Sequence, residues 1–221
     1  EAYKNGAEFK EILIRMGDES RFMRPWMEKE DVYLVQPSLF GELAQTETSQ
    51  GIIASVKKPS LSLDEFIEKK SSGNFVVLDR LQDPGNIGTI IRTADAAGYK
   101  LVIAMKGTAD IFSPKVVRSA TGSLFRVPIA FMENNDELVE FCARAKKKLT
   151  ATCLDDSKFY YEEDLEDNIA LIVGNEGNGI DPELIAKSDV KIKIPMQGSI
   201  ESLNAAVAAA IIMYESVRKR G

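Results

Sequence analysis

With 221 residues, 44% of them hydrophobic, a formal charge of −6 and no histidine, the chain can hold one large domain or a medium and a small one, and it is too apolar for global disorder. No stretch approaches the roughly 20 apolar residues that span a bilayer, and no signal-peptide pattern opens the chain, so a cytoplasmic protein with no membrane partner is expected. The acidic balance excludes a surface that grips a phosphate backbone everywhere; a nucleic-acid enzyme of this composition needs a local basic patch, for which Arg21, Arg24, Lys57, Lys58, Arg80, Arg118 and Arg126 are the candidates.

Residues 1–6 read as the end of a helix closed by Gly6, and the strand that would precede it is expected to be absent. Short apolar runs at 11–15, 32–35 and 51–56 predict strands, with a helix over 37–44 between the last two. These elements make a small α/β domain over 1–58. It carries eight Lys/Arg against ten Asp/Glu, so basic charge is not segregated there. The charged, Pro- and Ser-containing stretch 59–72 reads as a linker with a short helix.

From residue 73 onward the pattern is regular. Apolar runs at 75–78, 101–104, 125–127, 149–154, 170–173 and 190–194 predict strands separated mostly by helices. Ile87, Ile90, Ile91, Ala94 and Ala97 form one helical stripe. Leu138, Phe141, Cys142 and Ala145 form another, after an N-cap at Asn135 or Asp136. Alternation of this kind implies an α/β domain over 73–221, a mainly parallel sheet with helices on both faces. Cys142 and Cys153 are too far apart for a Cys-x-x-Cys motif and have no histidine to share a metal with, so both are read as buried packing residues and no metal site is expected.

Three segments at strand ends carry the candidate chemistry, where open α/β sheets place their ligand loops. The first, Asn86-x-Gly88-x-x-x-Arg92, launches a helix with Arg92 opposite its apolar stripe, a donor fork suited to phosphate. It lacks the Gly-x-Gly-x-x-Gly of dinucleotide sites. The second, Gly174-x-Glu176-x-x-Gly179, surrounds a carboxylate with glycines that let backbone approach a ligand, and Asp181 caps a helix starting at Pro182. The third, Pro195-Met196-x-Gly198-x-x-x-Ser202-Leu203-Asn204, ends in an Ala-rich helix that Ser199, Ser202 or Asn204 can cap, with Leu203, Val207, Ile211 and Tyr214 as its core stripe.

In order and content these three segments resemble the motifs of the SpoU (TrmH-like) family of RNA ribose 2′-O-methyltransferases, over about residues 73–217. The resemblance implies a C-terminal trefoil knot, a homodimer with its active site near the interface, and S-adenosylmethionine as cofactor. It maps catalytic positions onto Asn86, Arg92, Glu176, Ser202 and Asn204. Cofactor positions map onto Gly174, Ile194, Met196 and Leu203, with Thr152 and Leu154 at the end of a neighbouring strand. The small N-terminal domain is similar to the ribosomal-protein-like substrate-binding domain fused to many members, with 46–54 fitting its final loop and strand. RNA rather than DNA is the implied partner, ribosomal more than transfer RNA. The alternative is a non-catalytic RNA-binding module of ribosome assembly on the same fold.

Overall fold

The structure is a computed structural model that describes residues 1–44, 49–69, 72–154, 156–199 and 202–220. The chain forms two compact units, residues 1–60 and 61–221. Residues 46–48, assigned above to the last loop of the N-terminal domain, lie outside the described residues. Among the described residues no helix is long and apolar enough to cross a membrane.

In the first unit β1 (Phe9–Arg15) lies between β2 (Val32–Val35), parallel to it, and β3 (Ile52–Val56), antiparallel to it. Alternation along β1 turns Ile12 and Ile14 to one face, where Met27, Phe22 and Trp26 cover them. Two short helices, α1 (Glu19–Phe22) and α2 (Pro37–Leu43), complete the unit. The opening residues make one 3-10 turn, Tyr3–Asn5, closed by Gly6 at φ 72°.

The second unit begins with α3 (Leu63–Glu68), which Ser62 caps by accepting the Glu65 N–H. Leu61, Leu63, Phe66 and Ile67 pack on the core, so the stretch read as linker joins this unit from Leu61 onward. The unit's sheet contains β4 (Phe75–Asp79), β5 (Leu101–Met105), β6 (Ile129–Met132), β7 (Lys148–Thr152), β8 (Lys158–Phe159), β9 (Ile169–Gly174) and β10 (Val190–Lys193). Their order is β6-β5-β4-β9-β7-β10-β8, and every pairing is parallel. Phe75 and Val77 of β4 enter one core with α6 (Asn135–Arg144) and α7 (Pro182–Ala186). Val76 and Leu78 enter the other, with α4 (Pro84–Ala96), α5 (Pro114–Ser119) and α8 (Ala205–Arg220). A sheet buried on both faces explains why its strands read as unbroken apolar runs.

The sequence reading needs three local corrections. Residues 125–127 are not a strand: Ser123–Phe125 is a 3-10 turn following Gly122, whose φ is 87°. Strand β6 starts after Pro128, whose carbonyl accepts the Val102 N–H at 3.0 Å. Helix α6 is capped by Asn134, not by Asn135 or Asp136, because the Asn134 side chain accepts the Glu137 N–H. Helix α8 is capped by Asn204, not by Ser199 or Ser202. The short strand β8 has no apolar run to announce it.

Packing fixes where the first motif sits. Ile87, Ile90 and Ile91 of α4 are fully buried, which stabilises the helix's docking by on the order of 5–9 kcal/mol before entropy. Gly88 faces α5 so closely that an added Cβ would lie 2.4 Å from the Ser119 Cβ. Sequential strands run outward from β4 through β5 to β6, while β9 lies on β4's other side. The loops after β4 and β9 therefore part at a topological switch point, and the site forms there.

Candidate active site

The loop after β9 is closed by its own polar groups. Asn175 and Gly179 exchange two backbone hydrogen bonds, at 3.0 and 2.9 Å. The Asn175 Oδ1 accepts the N–H groups of Gly177 and Asn178, both at 3.0 Å. Its Nδ2 donates to the Arg80 carbonyl at 2.8 Å, tying this loop to the one after β4. Gly174 is needed because a Cβ there would lie 2.4 Å from the Gly179 carbonyl carbon and from the Ile180 nitrogen. On the other side of the loop the buried Asp79 carboxylate accepts the Asp181 N–H at 2.7 Å and pairs with Arg80.

This closure aims Glu176 back at the first motif. Its Oε2 accepts the Gln82 N–H at 3.1 Å; its Oε1 accepts the Asp83 N–H at 3.1 Å and the Asn86 Nδ2 at 3.0 Å. Burial pushes the Glu176 carboxyl up, but hydrogen bonds from Asn86 and from the Gln82, Glu176 and Asp83 backbone outweigh it, and its pKa is lowered. The carboxylate that sequence offered to a ligand is thus engaged within the protein. The Asn86 Oδ1 in turn accepts the Asn204 Nδ2 at 2.9 Å. Asn204 also caps α8, its Oδ1 accepting the Ala206 and Val207 N–H groups at 2.9 and 3.3 Å. Glu176, Asn86 and Asn204 form one hydrogen-bonded line through all three motifs.

Beside that line lies a cavity of about 670 Å³. Thr152, Leu154, Gly174, Ile194, Met196 and Leu203, the six positions mapped for a cofactor, all line it, together with Glu176, Ser202 and Asn204. Asn86 and Arg92 are not on its wall. Asn86 reaches it only through Glu176 and Asn204. Arg92 is exposed and stands six residues further along α4, roughly 9 Å up the helix axis and on another face. Among the described residues Arg92 has no ion-pair or hydrogen-bond partner.

The profile of the SpoU rRNA Methylase family matches residues 73–214 of this chain. The chain belongs to that family. The 23S rRNA (guanosine(2553)-2′-O)-methyltransferase RlmP of Bacillus subtilis is 40% identical to it over 215 residues, which cover 97% of this chain and 83% of that protein. A 23S rRNA (uridine(2479)-2′-O)-methyltransferase of Streptomyces viridochromogenes is 36% identical over 190 residues, covering 83% of this chain and 66% of that one. Among solved structures, the AdoMet-bound rRNA methyltransferase of Sinorhizobium meliloti superposes with a TM-score of 0.87 at 30% identity, covering 99% of this chain and 83% of that one. The SpoU methyltransferase AviRb of Streptomyces viridochromogenes, in complex with AdoMet, gives 0.85 at 33% identity, covering 99% and 86%.

In this SpoU methylase several cavity residues were not singled out by the sequence. Cys153 is half-buried on the cavity wall rather than a core residue, which only its place one residue past β7 could have signalled. Cys142 is buried in the core as expected, and burial pushes its thiol up to about 12. Lys191, Lys193 and Asp156 also line the cavity, and Lys193 sets its ammonium 5.6 Å from the centre of the Phe159 ring. The alternation of β10 put these lysines on one side, but nothing local said that the side was a cavity. Asn175 was missed because its role lies wholly in bonds to other loops.

Proposed function

We propose that this protein transfers a methyl group from S-adenosylmethionine to a ribose 2′-hydroxyl of ribosomal RNA, of the 23S type. The observation that carries the reading is the meeting of a nucleoside-sized cavity with the Glu176, Asn86 and Asn204 line at one switch point. A volume of about 670 Å³ falls within the usual range for small-molecule sites, roughly 300–1,000 Å³. Its wall combines apolar Val173, Ile180, Ile194, Met196 and Leu203 with the closely approached backbone of 174–179. That mixture suits an adenine ring held by main-chain groups and a thioether chain beside methionine and leucine.

When bound, S-adenosylmethionine supplies a sulfonium methyl as electrophile. The ribose 2′-oxygen forms the new O–C bond as the S–C bond breaks, and the hydroxyl proton leaves to solvent or a base. The chain has no histidine to take it. Arg92 carries a planar fork of donors, and its role is to bind phosphate and stabilise developing negative charge on the oxygen. Glu176 holds Asn86 and Asn86 holds Asn204, so that Glu176 and Asn204 present the wall against which the ribose is aligned. Ser202, at the cavity mouth, contacts the incoming nucleotide.

The first unit serves as the RNA-binding domain, and two copies of the chain form the working enzyme. Leu203, just before α8, and Val207 and Tyr214 on it, read from the sequence as part of a core stripe, are instead exposed; they form the face a second copy covers, which brings the dimer contact to the cavity. The trefoil knot follows from the family resemblance.

The test is calorimetric titration with S-adenosylhomocysteine, using the native chain and an Ala208→Phe variant that fills the cavity. It is followed by transfer of labelled methyl to protein-free 23S rRNA, 16S rRNA and transfer RNA. Binding lost in the variant, with label in 23S rRNA as a 2′-O-methyl nucleoside, is the expected result. A folded dimer that binds no S-adenosylhomocysteine would leave the RNA-binding module as the reading.

A further inference from the structure

We infer that α5, with the loop before it and the edge strand β6, forms a second RNA contact that takes unpaired nucleotides next to the target. This rests on the function proposed above. The acidic chain commits three of its seven candidate patch cations to carboxylates: Arg80 to Asp79, Arg126 to Asp95 and Lys57 to Glu8. Lys115 and Arg118 are different. They lie three residues apart on the exposed side of α5, whose other side buries Val116 and Ala120. Among the described residues neither has an ion-pair partner.

Aromatic surface lies on the sheet face that α5 covers. Phe131 of β6 is 54% exposed, and it shares a sheet face with Ala104, its registered partner on β5, which is the face covered by α4 and α5. Its ring centre lies 6.1 Å from that of Phe112, and Asp110 fixes Phe112 by accepting its N–H at 2.9 Å. Val117, also exposed, adds apolar area from α5. An exposed ring on the same face as unpaired cations offers what single-stranded RNA needs, a π-face for a base and a positive group for a phosphate.

The patch is physically joined to the active site. The Gln82 Nε2 donates to the Gly107 carbonyl at 2.6 Å, the Ala109 N–H to the Leu81 carbonyl at 2.9 Å, and the Thr108 hydroxyl to the Leu78 carbonyl at 2.9 Å. These bonds hang the loop that leads to α5 on the same β4–α4 loop that receives Glu176. Ser119, next to Arg118, donates to the Gly85 carbonyl at 3.3 Å and touches α4 at Gly88, one turn before Arg92. The Ser119 contact thus joins the helix that carries Lys115 and Arg118 to the helix that carries Arg92.

The experiment uses the full chain and a fluorescein-labelled 20-nucleotide poly(U) RNA, read by anisotropy over a range of salt. Lys115→Glu/Arg118→Glu is compared with Lys146→Glu/Lys148→Glu, which makes the same charge change at the opposite end of β7. Phe131→Ala is measured beside them. The patch charge variant is expected to bind at least about tenfold more weakly and to lower the salt slope by roughly 1.4, the share of two phosphate contacts on a single strand. The control charge variant is expected to stay within about twofold. Phe131→Ala is expected to lose about fivefold or more without changing the slope. All variants must melt as the native chain does and bind S-adenosylhomocysteine normally. Native-like RNA binding in both patch variants overturns the inference and assigns this apolar face to a protein partner, and so does an equal loss in patch and control charge variants. A native chain that binds neither S-adenosylhomocysteine nor RNA overturns the proposed function instead.

Discussion

Two segments contribute to the wall of the cavity, and they are held very differently. The 174–181 loop is fastened by backbone bonds between Asn175 and Gly179, by the Asn175 side chain, by Asp79 and by the three bonds that Glu176 accepts. The 195–203 segment contributes Met196, Ser202 and Leu203 to the wall, yet among its described residues none makes a side-chain hydrogen bond. One wall is pre-organised, and the described residues of the other carry no such side-chain ties. A fixed wall sets the alignment an in-line displacement needs.

Breaking the fixed wall should have the largest effects. Gly174→Val drives a side chain into the Gly179 and Ile180 backbone; calorimetry should show S-adenosylhomocysteine binding lost, and thermal melts a loss of roughly 1–3 kcal/mol. Next comes Glu176→Ala, which leaves the Gln82 and Asp83 N–H groups and the Asn86 amide without their acceptor. Its methyl-transfer rate should fall on the order of 100-fold, while its affinity for S-adenosylhomocysteine changes little. Equal losses in rate and affinity would mean that Glu176 holds the cofactor rather than aligning the ribose.

Smaller effects are expected where the two segments meet and on the less tied one. Asn204→Ala removes the α8 cap and the bond to Asn86, costing about 1 kcal/mol in denaturant unfolding, and Asn204→Asp, which keeps the cap acceptor but not the donor to Asn86, should recover stability without recovering rate. Met196→Ala, on the less tied wall, should weaken S-adenosylhomocysteine binding only a few-fold, less than Gly174→Val does.

The smallest effect concerns pH. The folded-state pKa of Glu176 is lowered from its ordinary value of 4.5. Its stabilisation is therefore fully present above about 4.5 and is lost as pH falls through the lower folded value. Urea unfolding at pH 6 and pH 3 should show a smaller acid loss in Glu176→Gln than in the native chain. An identical loss would mean that the carboxylate bonds are no better than those of an amide.

The sequence by itself determined the things that depend on local order. Strand and helix periodicity gave the α/β alternation, the buried stripes of α4 and α6, and the parallel sheet buried on both faces. Gly, Asn and Ser at strand ends gave the three loops, and their grouping pointed to one site whose six mapped cofactor positions share a cavity wall. Where local signals competed, the reading slipped by a residue or an element, as at Asn134, where three successive polar residues could each cap, and at 125–127, where an apolar triplet sits in a tight turn. Only the tertiary structure decided how the polar atoms are spent. The Glu176 carboxylate serves a loop more than 90 residues earlier in the chain, Asn204 divides its two ends between α8 and Asn86, and Arg92 stands outside the cavity. A hydrogen bond between such distant residues depends on which loops the strand order brings together, and periodicity fixes the face a residue occupies without saying what it will meet there.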